Sequence, residues 1–170
     1  ALEAKKYGIK NVYVSNGFES REVIDDMKGI IDAVNIDLKC FSNSYYKKEL
    51  GGNLNQVLEN LKHFKRNGIW VEITTLIVPT KNDSVEELTK IAKFIKNELD
   101  IYTPWHLSSF HPDYKELELP RTPFESLKIA YEIGKNEGLK YVYIGNIGYE
   151  NNTNCPNCNE SLITRVRYDV

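Results

Sequence analysis

Cysteine, long apolar runs and an excess of one charge are all scarce in this chain of 170 residues. It has three cysteines, an odd number with one close pair, which argues against a disulfide framework. Lys and Arg total 22 against 24 Asp and Glu, and the formal net charge of -2 gives no electrostatic reason to expect a nucleic acid or an anionic membrane as partner. No apolar stretch approaches the ~20 residues that cross a bilayer.

The first residues also lack the apolar core of a signal peptide. With neither a signal nor a membrane span, the sequence predicts a cytoplasmic protein. Residues 2–7 look like the last turns of a helix that stops at Gly8. Because the first residue is Ala1 and not Met, we expect this chain to be a piece of a longer protein.

What is present is an alternation of strand and helix patterns, in a chain that is 41% hydrophobic and long enough for one core. Strands are predicted at 12–17, 33–38, 70–78, 105–110 and 141–144. Helices are predicted at 19–28, at 54–67 and from Ser84 to Leu99. A further helix is predicted to end before Gly138, with Thr122 as its N-cap and Pro123 as its first helical residue. This order indicates right-handed βαβ units and a parallel sheet.

A closed eight-stranded barrel needs about 250 residues. The sequence therefore predicts an α/β fold that is a parallel partial (β/α) barrel, or an open sheet from a larger barrel-like domain. The predicted domains are the partial barrel at 1–148 and a C-terminal extension at 149–170 with a C-x-x-C knuckle and a strand-like stretch at 162–166.

Polar residues follow several predicted strands, at the edge where parallel α/β folds bind ligands. Asp37 and Lys39 are two apart, so in a strand they face the same side. They could form a clamp for a zwitterion, with Lys39 on a carboxylate and Asp37 on an ammonium or cation. The alternative is a strand-end salt bridge.

Two further strand ends carry candidate ligand contacts. Ser15, Asn16 and Gly17 end the first strand, where free backbone N–H groups could bind an anionic or amide group, or simply form a turn. His111 precedes Pro112 at a strand mouth and could bond a ligand or act as an acid or base, or be structural.

The other histidines and the cysteines are less specific. His106 could be a satisfied core residue, and His63 is predicted to lie on a helix surface. Cys155 and Cys158 form half of a zinc-ribbon-type site, and the chain has no second pair to complete it. Either the missing ligands lie outside this chain, or the two thiols belong to a plain reduced turn.

Several short segments, taken in chain order, match one family of enzymes. They are 13–18, 34–39, 50–52, 68–76, 79–83, 104–115, 138–146 and 155–158. Together they cover essentially the whole chain and resemble the radical S-adenosylmethionine (radical SAM) enzymes of the pyruvate formate-lyase activating enzyme type. The AmmeMemoRadiSam-system branch is the most similar.

The resemblance implies the C-terminal part of a (β/α)6 barrel that binds S-adenosylmethionine. Such enzymes cleave it reductively with a [4Fe–4S] cluster, and the 5′-deoxyadenosyl radical abstracts a hydrogen, in the activating enzymes from a glycine of a partner protein. By resemblance, residues 15–17 line the amino-acid end of the cofactor. Asp37 and Lys39 match residues near its carboxylate, and His111 matches a contact on the ribose side.

The family's C-x-x-x-C-x-x-C cluster motif and its Gly-Gly-Glu segment are absent here, and Val14 stands where an Asp is common. The resemblance therefore places the cluster ligands on a missing N-terminal segment of the same protein, with an electron donor and a possible protein substrate as partners.

The alternative is a non-catalytic binding module with a metal knuckle, which an upstream three-cysteine motif would exclude. A phosphate-binding barrel ranks last, because no Gly-rich phosphate loop opens a helix.

Overall fold

A computed structural model describes residues 1–148 and 151–165. Its centre is a five-stranded sheet in which every neighbouring pair is parallel. The strands follow chain order across the sheet: β1 Val12–Ser15, β2 Ala33–Asp37, β3 Trp70–Ile77, β4 Trp105–Ser109 and β5 Val142–Gly145. This topology confirms the parallel α/β class predicted from the sequence.

Helices connect the strands. They are α1 Leu2–Lys6, α2 Arg21–Met27, α3 Asn43–Lys48, α4 Leu54–Arg66, α5 Val85–Phe94 and α6 Phe124–Asn136, and a π-helical turn at Ile95–Leu99 extends α5. The side chains of Ser20, Ser42, Asn53 and Ser84 cap four of them by accepting backbone N–H groups. Helix α3 was not predicted from the sequence.

The two faces of the sheet differ in character. One face is buried under the helices and is mostly apolar, with Val34, Ile36, Val71, Ile73, Ile77, Trp105, Leu107, Val142 and Ile144. The other face carries half-buried side chains, most of them polar: Asn35, Asp37, Glu72, Thr74, His106, Ser108 and Tyr143. A parallel sheet packed by helices on both faces would be apolar on both. The described helices therefore cover one face, as in a barrel wall, and leave the polar face partly exposed.

A short hairpin follows the sheet. Strands β6 Thr153–Asn154 and β7 Ser161–Ile163 pair antiparallel, in place of the single strand predicted at 162–166. The predicted domain boundary falls at residues 149 and 150, which lie outside the described residues, so it stays a prediction.

Two local predictions are wrong. Pro123, and not Thr122, is the N-cap of α6. Thr122 is buried, and its hydroxyl accepts the Phe110 N–H at 2.8 Å and donates to the Ile77 carbonyl, so it joins the ends of β3 and β4. The side chain of His63 is only 14% exposed, and its Nε2 lies 2.6 Å from the Asp25 carboxylate, which ties α4 to α2.

Within the described ranges, none of the helices is both long and apolar enough to cross a membrane.

Candidate functional site

A cavity of about 150 Å³ opens where β1 and β2 end. Its lining residues are Asn16, Phe18, Asp37, Lys39, Tyr46, Leu50, Gly51, Gly52 and Val57. A second cavity of about 320 Å³ extends towards the ends of β3 and β4 and is lined by Leu76, Val78, Asn82 and Phe110 among others. Lys39 lines both cavities and therefore lies between them at the carboxyl edge of the sheet.

Asp37 and Lys39 form the ion pair at this edge. Lys39 Nζ lies 2.8 Å from Asp37 Oδ2, and each side chain is about one third exposed, at 35% and 36%. An ion pair this open to solvent contributes little to stability. Both charges can therefore turn to a ligand, the ammonium group to a carboxylate and the carboxylate to an ammonium group.

Two buried side chains fix the backbone of Lys39. Its N–H donates to the Tyr46 hydroxyl at 3.2 Å, and burial raises the pKa of Tyr46 to about 12. The Asn82 amide donates to the Lys39 carbonyl and, at 2.8 Å, to the Leu76 carbonyl, while its oxygen accepts the Val78 N–H at 2.7 Å. The Lys39 backbone is therefore held in place while its ammonium group stays accessible.

The turn after β1 is closed by its own side chains. The Gly17 N–H donates to the Ser15 hydroxyl and the Phe18 N–H to the Asn16 side chain, both at 3.1 Å. Of the two readings of this segment, these bonds favour the ordinary turn over one with free N–H groups. Of residues 15–17, only Asn16 lines the cavity with Asp37 and Lys39.

Glycine is required at position 17 for two reasons. Its φ of +75° lies in the left-handed region, and an added Cβ would sit 2.7 Å from Ile36 Cγ2 and 3.1 Å from Val57. The Asn60 amide donates to the Gly17 carbonyl at 3.0 Å, so α4 anchors this turn against the sheet.

His111 lies apart from the ion pair. It follows β4, with β3 between it and β2, and its side chain is 61% exposed. Its Nε2 is 4.0 Å from the Asp113 carboxylate. His111 is not one of the described residues that line the two cavities. Its contact with a cofactor stays a prediction.

The polar face of the sheet holds a third cavity of about 480 Å³. His106 Nε2 lies 2.7 Å from the Glu72 carboxylate, and its ring stacks on Tyr143 with centroids 5.3 Å apart. The hydrogen bond from His106 lowers the pKa of Glu72, against the opposing effect of burial. His106 is thus a residue of the open face and not of the core. The alternation of β3 places Glu72 and Thr74 on one face, but no local pattern indicates their partners His106 and Asn35, which lie on neighbouring strands.

The three thiols lie in two regions. Cys40 is buried, and burial raises the pKa of its thiol. Cys155 and Cys158 lie on the hairpin, where N–H groups of Cys158 and Asn157 hold the pKa of Cys155 below its usual value. No group of three or more His, Cys, Asp or Glu side chains in the described ranges could hold a metal ion. The three thiols therefore do not gather into a ligand set for a [4Fe–4S] cluster in the described ranges, whereas Asp37 and Lys39 present the two opposite charges that an amino-acid zwitterion would need.

Comparison with known proteins decides the family, because the model of the radical SAM superfamily matches residues 1–95. The chain belongs to the radical SAM superfamily. This membership makes it part of an enzyme class that uses S-adenosylmethionine and a [4Fe–4S] cluster.

Two curated proteins are similar in sequence. The uncharacterized protein MJ0808 of Methanocaldococcus jannaschii is 46% identical over 169 residues, which are 98% of this chain and 50% of that protein. The (2S)-3-sulfopropanediol sulfolyase activating enzyme of Bilophila wadsworthia is 30% identical over 101 residues, 58% of this chain and 33% of that protein. This radical SAM chain thus spans half or less of the length of these two relatives.

Two solved structures share the fold. A domain of pyruvate-formate lyase-activating enzyme from Bacteroides vulgatus superposes with a TM-score of 0.73 at 16% identity, covering 84% of this chain and 85% of that one. A radical SAM methyltransferase from Sphaerobacter thermophilus gives a TM-score of 0.61 at 12% identity, covering 79% and 39%. The resemblance to radical SAM enzymes of the activating type is confirmed, and so is the fold class.

Proposed function

We propose that this chain forms the S-adenosylmethionine-binding part of a radical SAM enzyme of the activating type, in which Asp37 and Lys39 hold the amino-acid end of the cofactor. The observation that supports this most directly is the ion pair at the carboxyl edge of the sheet, whose side chains are about one third exposed. Both residues line the smaller cavity, and Lys39 also lines the larger one. The combined site presents one cation and one anion 2.8 Å apart, which suits a zwitterionic amino acid.

Each residue of the site has a binding role in this proposal. The Lys39 ammonium donates to the cofactor carboxylate, and the Asp37 carboxylate accepts from its ammonium group. Asn16 lines the same cavity, next to the glycines Gly51 and Gly52, which let the backbone approach closely. Ser15 and Gly17 shape the turn, and His111 contacts the ribose side.

The bound cofactor, with a [4Fe–4S] cluster, supplies the radical chemistry of hydrogen abstraction. The cluster ligands and the docking site of an electron donor belong, in this proposal, to an N-terminal segment of the same protein beyond these residues. One similar protein is named as the activating enzyme of a sulfolyase, which supports a protein as substrate. The hydrogen donor in this proposal is a glycine of that protein.

The test is cofactor binding by the full-length protein carrying Lys39→Ala. Loss of a charge-assisted hydrogen bond is worth roughly 1.5–3 kcal/mol. We therefore expect S-adenosylmethionine to bind about 10- to 100-fold more weakly in isothermal titration calorimetry, with unchanged cluster iron.

Lys90→Ala is the matched control, because Lys90 is an exposed lysine paired with Glu86 on α5, away from the strand ends. It should bind the cofactor like the wild type. Equal affinity of Lys39→Ala and the wild type would contradict the proposed role of the ion pair.

A further inference from the structure

The hairpin after the sheet is closed by a tight knuckle. The Cys155 N–H donates to the Glu160 carbonyl at 2.7 Å, and the Asn159 N–H donates to the Cys155 carbonyl at 2.9 Å. Asn159 has a φ of +62°, in the left-handed region that Asn tolerates better than most residues. These contacts fold the chain back immediately after Cys158, so that both thiols lie at the tip of the hairpin.

The turn brings the two cysteines together on one loop. Residues 156–158 form the turn that joins β6 to β7, so Cys155 and Cys158 stand at its two ends. Both thiols are free of disulfide, and Cys158 is exposed.

The hairpin is small, and its described ties to the sheet lie at its base, where Asn151 bonds the Ile144 backbone and the Arg165 guanidinium lies over the Tyr143 ring. Its strands are two and three residues long, and Ser161, Leu162 and Ile163 are all exposed. An isolated two-stranded hairpin is at best marginally stable in water. The described ties to the sheet include a 2.9 Å hydrogen bond between Tyr143 and Thr153. Metal coordination at the tip is a common way for such a small unit to gain stability.

The remaining thiol of this chain cannot complete the site. Cys40 is buried, with its thiol on the Ser42 carbonyl at the carboxyl end of β2. The knuckle instead shares a cavity of about 410 Å³ with Lys135 and Lys140, at the other end of β5.

We propose that Cys155 and Cys158 are two of the four thiolate ligands of a structural zinc ion, distinct from the [4Fe–4S] cluster. The other two thiolates come from the same polypeptide outside these 170 residues. Structural zinc is almost always tetrahedral and often held by paired cysteines at this spacing. Each thiol releases its proton on coordination, and no redox step is involved.

The similarity to MJ0808 supports the proposal that the other two ligands belong to the same polypeptide. This chain aligns over 98% of its own length with only half of that protein, so a close relative carries as much sequence again outside the aligned region. The knuckle then joins that part to the end of the barrel wall.

The test is metal analysis of the full-length protein, purified without oxygen. We expect about one zinc per polypeptide in addition to cluster iron. Cys155→Ser and Cys158→Ser should each lose the zinc and keep the iron, whereas the matched control Cys40→Ser should keep both. In the cobalt-substituted wild type, the same variants should remove the sulfur-to-cobalt absorption band.

A second measurement on the wild type covers the case in which the variants do not fold. A chelator that removes zinc should speed proteolytic cleavage within 151–165 while the visible absorption of the cluster persists. The proposal is overturned if the purified protein holds no zinc, if the variants lose iron instead, if the two thiols form a disulfide, or if one zinc is shared by two polypeptides.

Discussion

Lys39 shows how one residue can be central to a site without stabilising the fold. Its ion pair with Asp37 is open to solvent, so most of its electrostatic energy is screened. Its backbone, by contrast, is fixed by Tyr46 and Asn82. The residue therefore combines a rigid attachment with a charge that a ligand can use.

Gly17 is the residue of the site at which a small change should matter most. In Gly17→Ala, left-handed strain and the close approach to Ile36 act together, and we expect a loss of about 3 kcal/mol in the free energy of unfolding, measured by urea titration.

Gly29→Ala separates the two effects. Gly29 has almost the same φ, +74°, but nothing lies within 4 Å of an added Cβ. Its loss should be about 1 kcal/mol, from strain alone. Equal losses in the two variants would show that the contact with Ile36 is not important.

At the scale of elements, the site depends on how the strand ends are tied together. Asn82 is 3% exposed and links the segment after β2 to the end of β3, and Thr122 links the ends of β3 and β4. Asn82 also lines the cavity of about 320 Å³ beside Lys39. Both residues determine where the strand ends lie relative to each other.

Asn82→Ala should destabilise the protein and loosen the site. It leaves the Leu76 carbonyl, the Val78 N–H and the Lys39 carbonyl without this partner. Buried groups without partners cost about 1–3 kcal/mol each, so we expect a total loss of about 3 kcal/mol after partial relaxation, measured by urea unfolding. Asn55→Ala, at an exposed position of α4, should change stability by less than about 0.5 kcal/mol. A loss no larger than this in Asn82→Ala would show that the link is dispensable.

The strands themselves could be predicted because their signal is local. Period-two alternation and the turn residues after each strand indicated five strands and the order of the connecting helices. Helix α3 lacks such a signal, because it is six residues long and Tyr46 is its one buried residue. The cap of α6 was misplaced because Thr122 bonds across the sheet and not along its own helix.

At the scale of the whole molecule, the chain is a barrel wall with one polar face. It has three cysteines, none in a C-x-x-x-C-x-x-C motif. The 170-residue chain, incubated with S-adenosylmethionine and a strong reductant, should therefore yield no 5′-deoxyadenosine by chromatography. Circular dichroism should confirm that the sample is folded, and the full-length protein serves as the positive control. Product formation by the folded chain alone would refute this prediction.

The sequence by itself determined the family, the parallel α/β class and the pairing of Asp37 with Lys39 on one side of a strand, because these depend on residues close together in the chain. Only the tertiary structure decided which groups surround that pair. Asn82 is 43 residues from Lys39, and His106 is 34 from Glu72, so these contacts follow from strand register and helix packing. The same packing left His111 apart from the ion pair, since distances between elements are set only when the sheet is assembled.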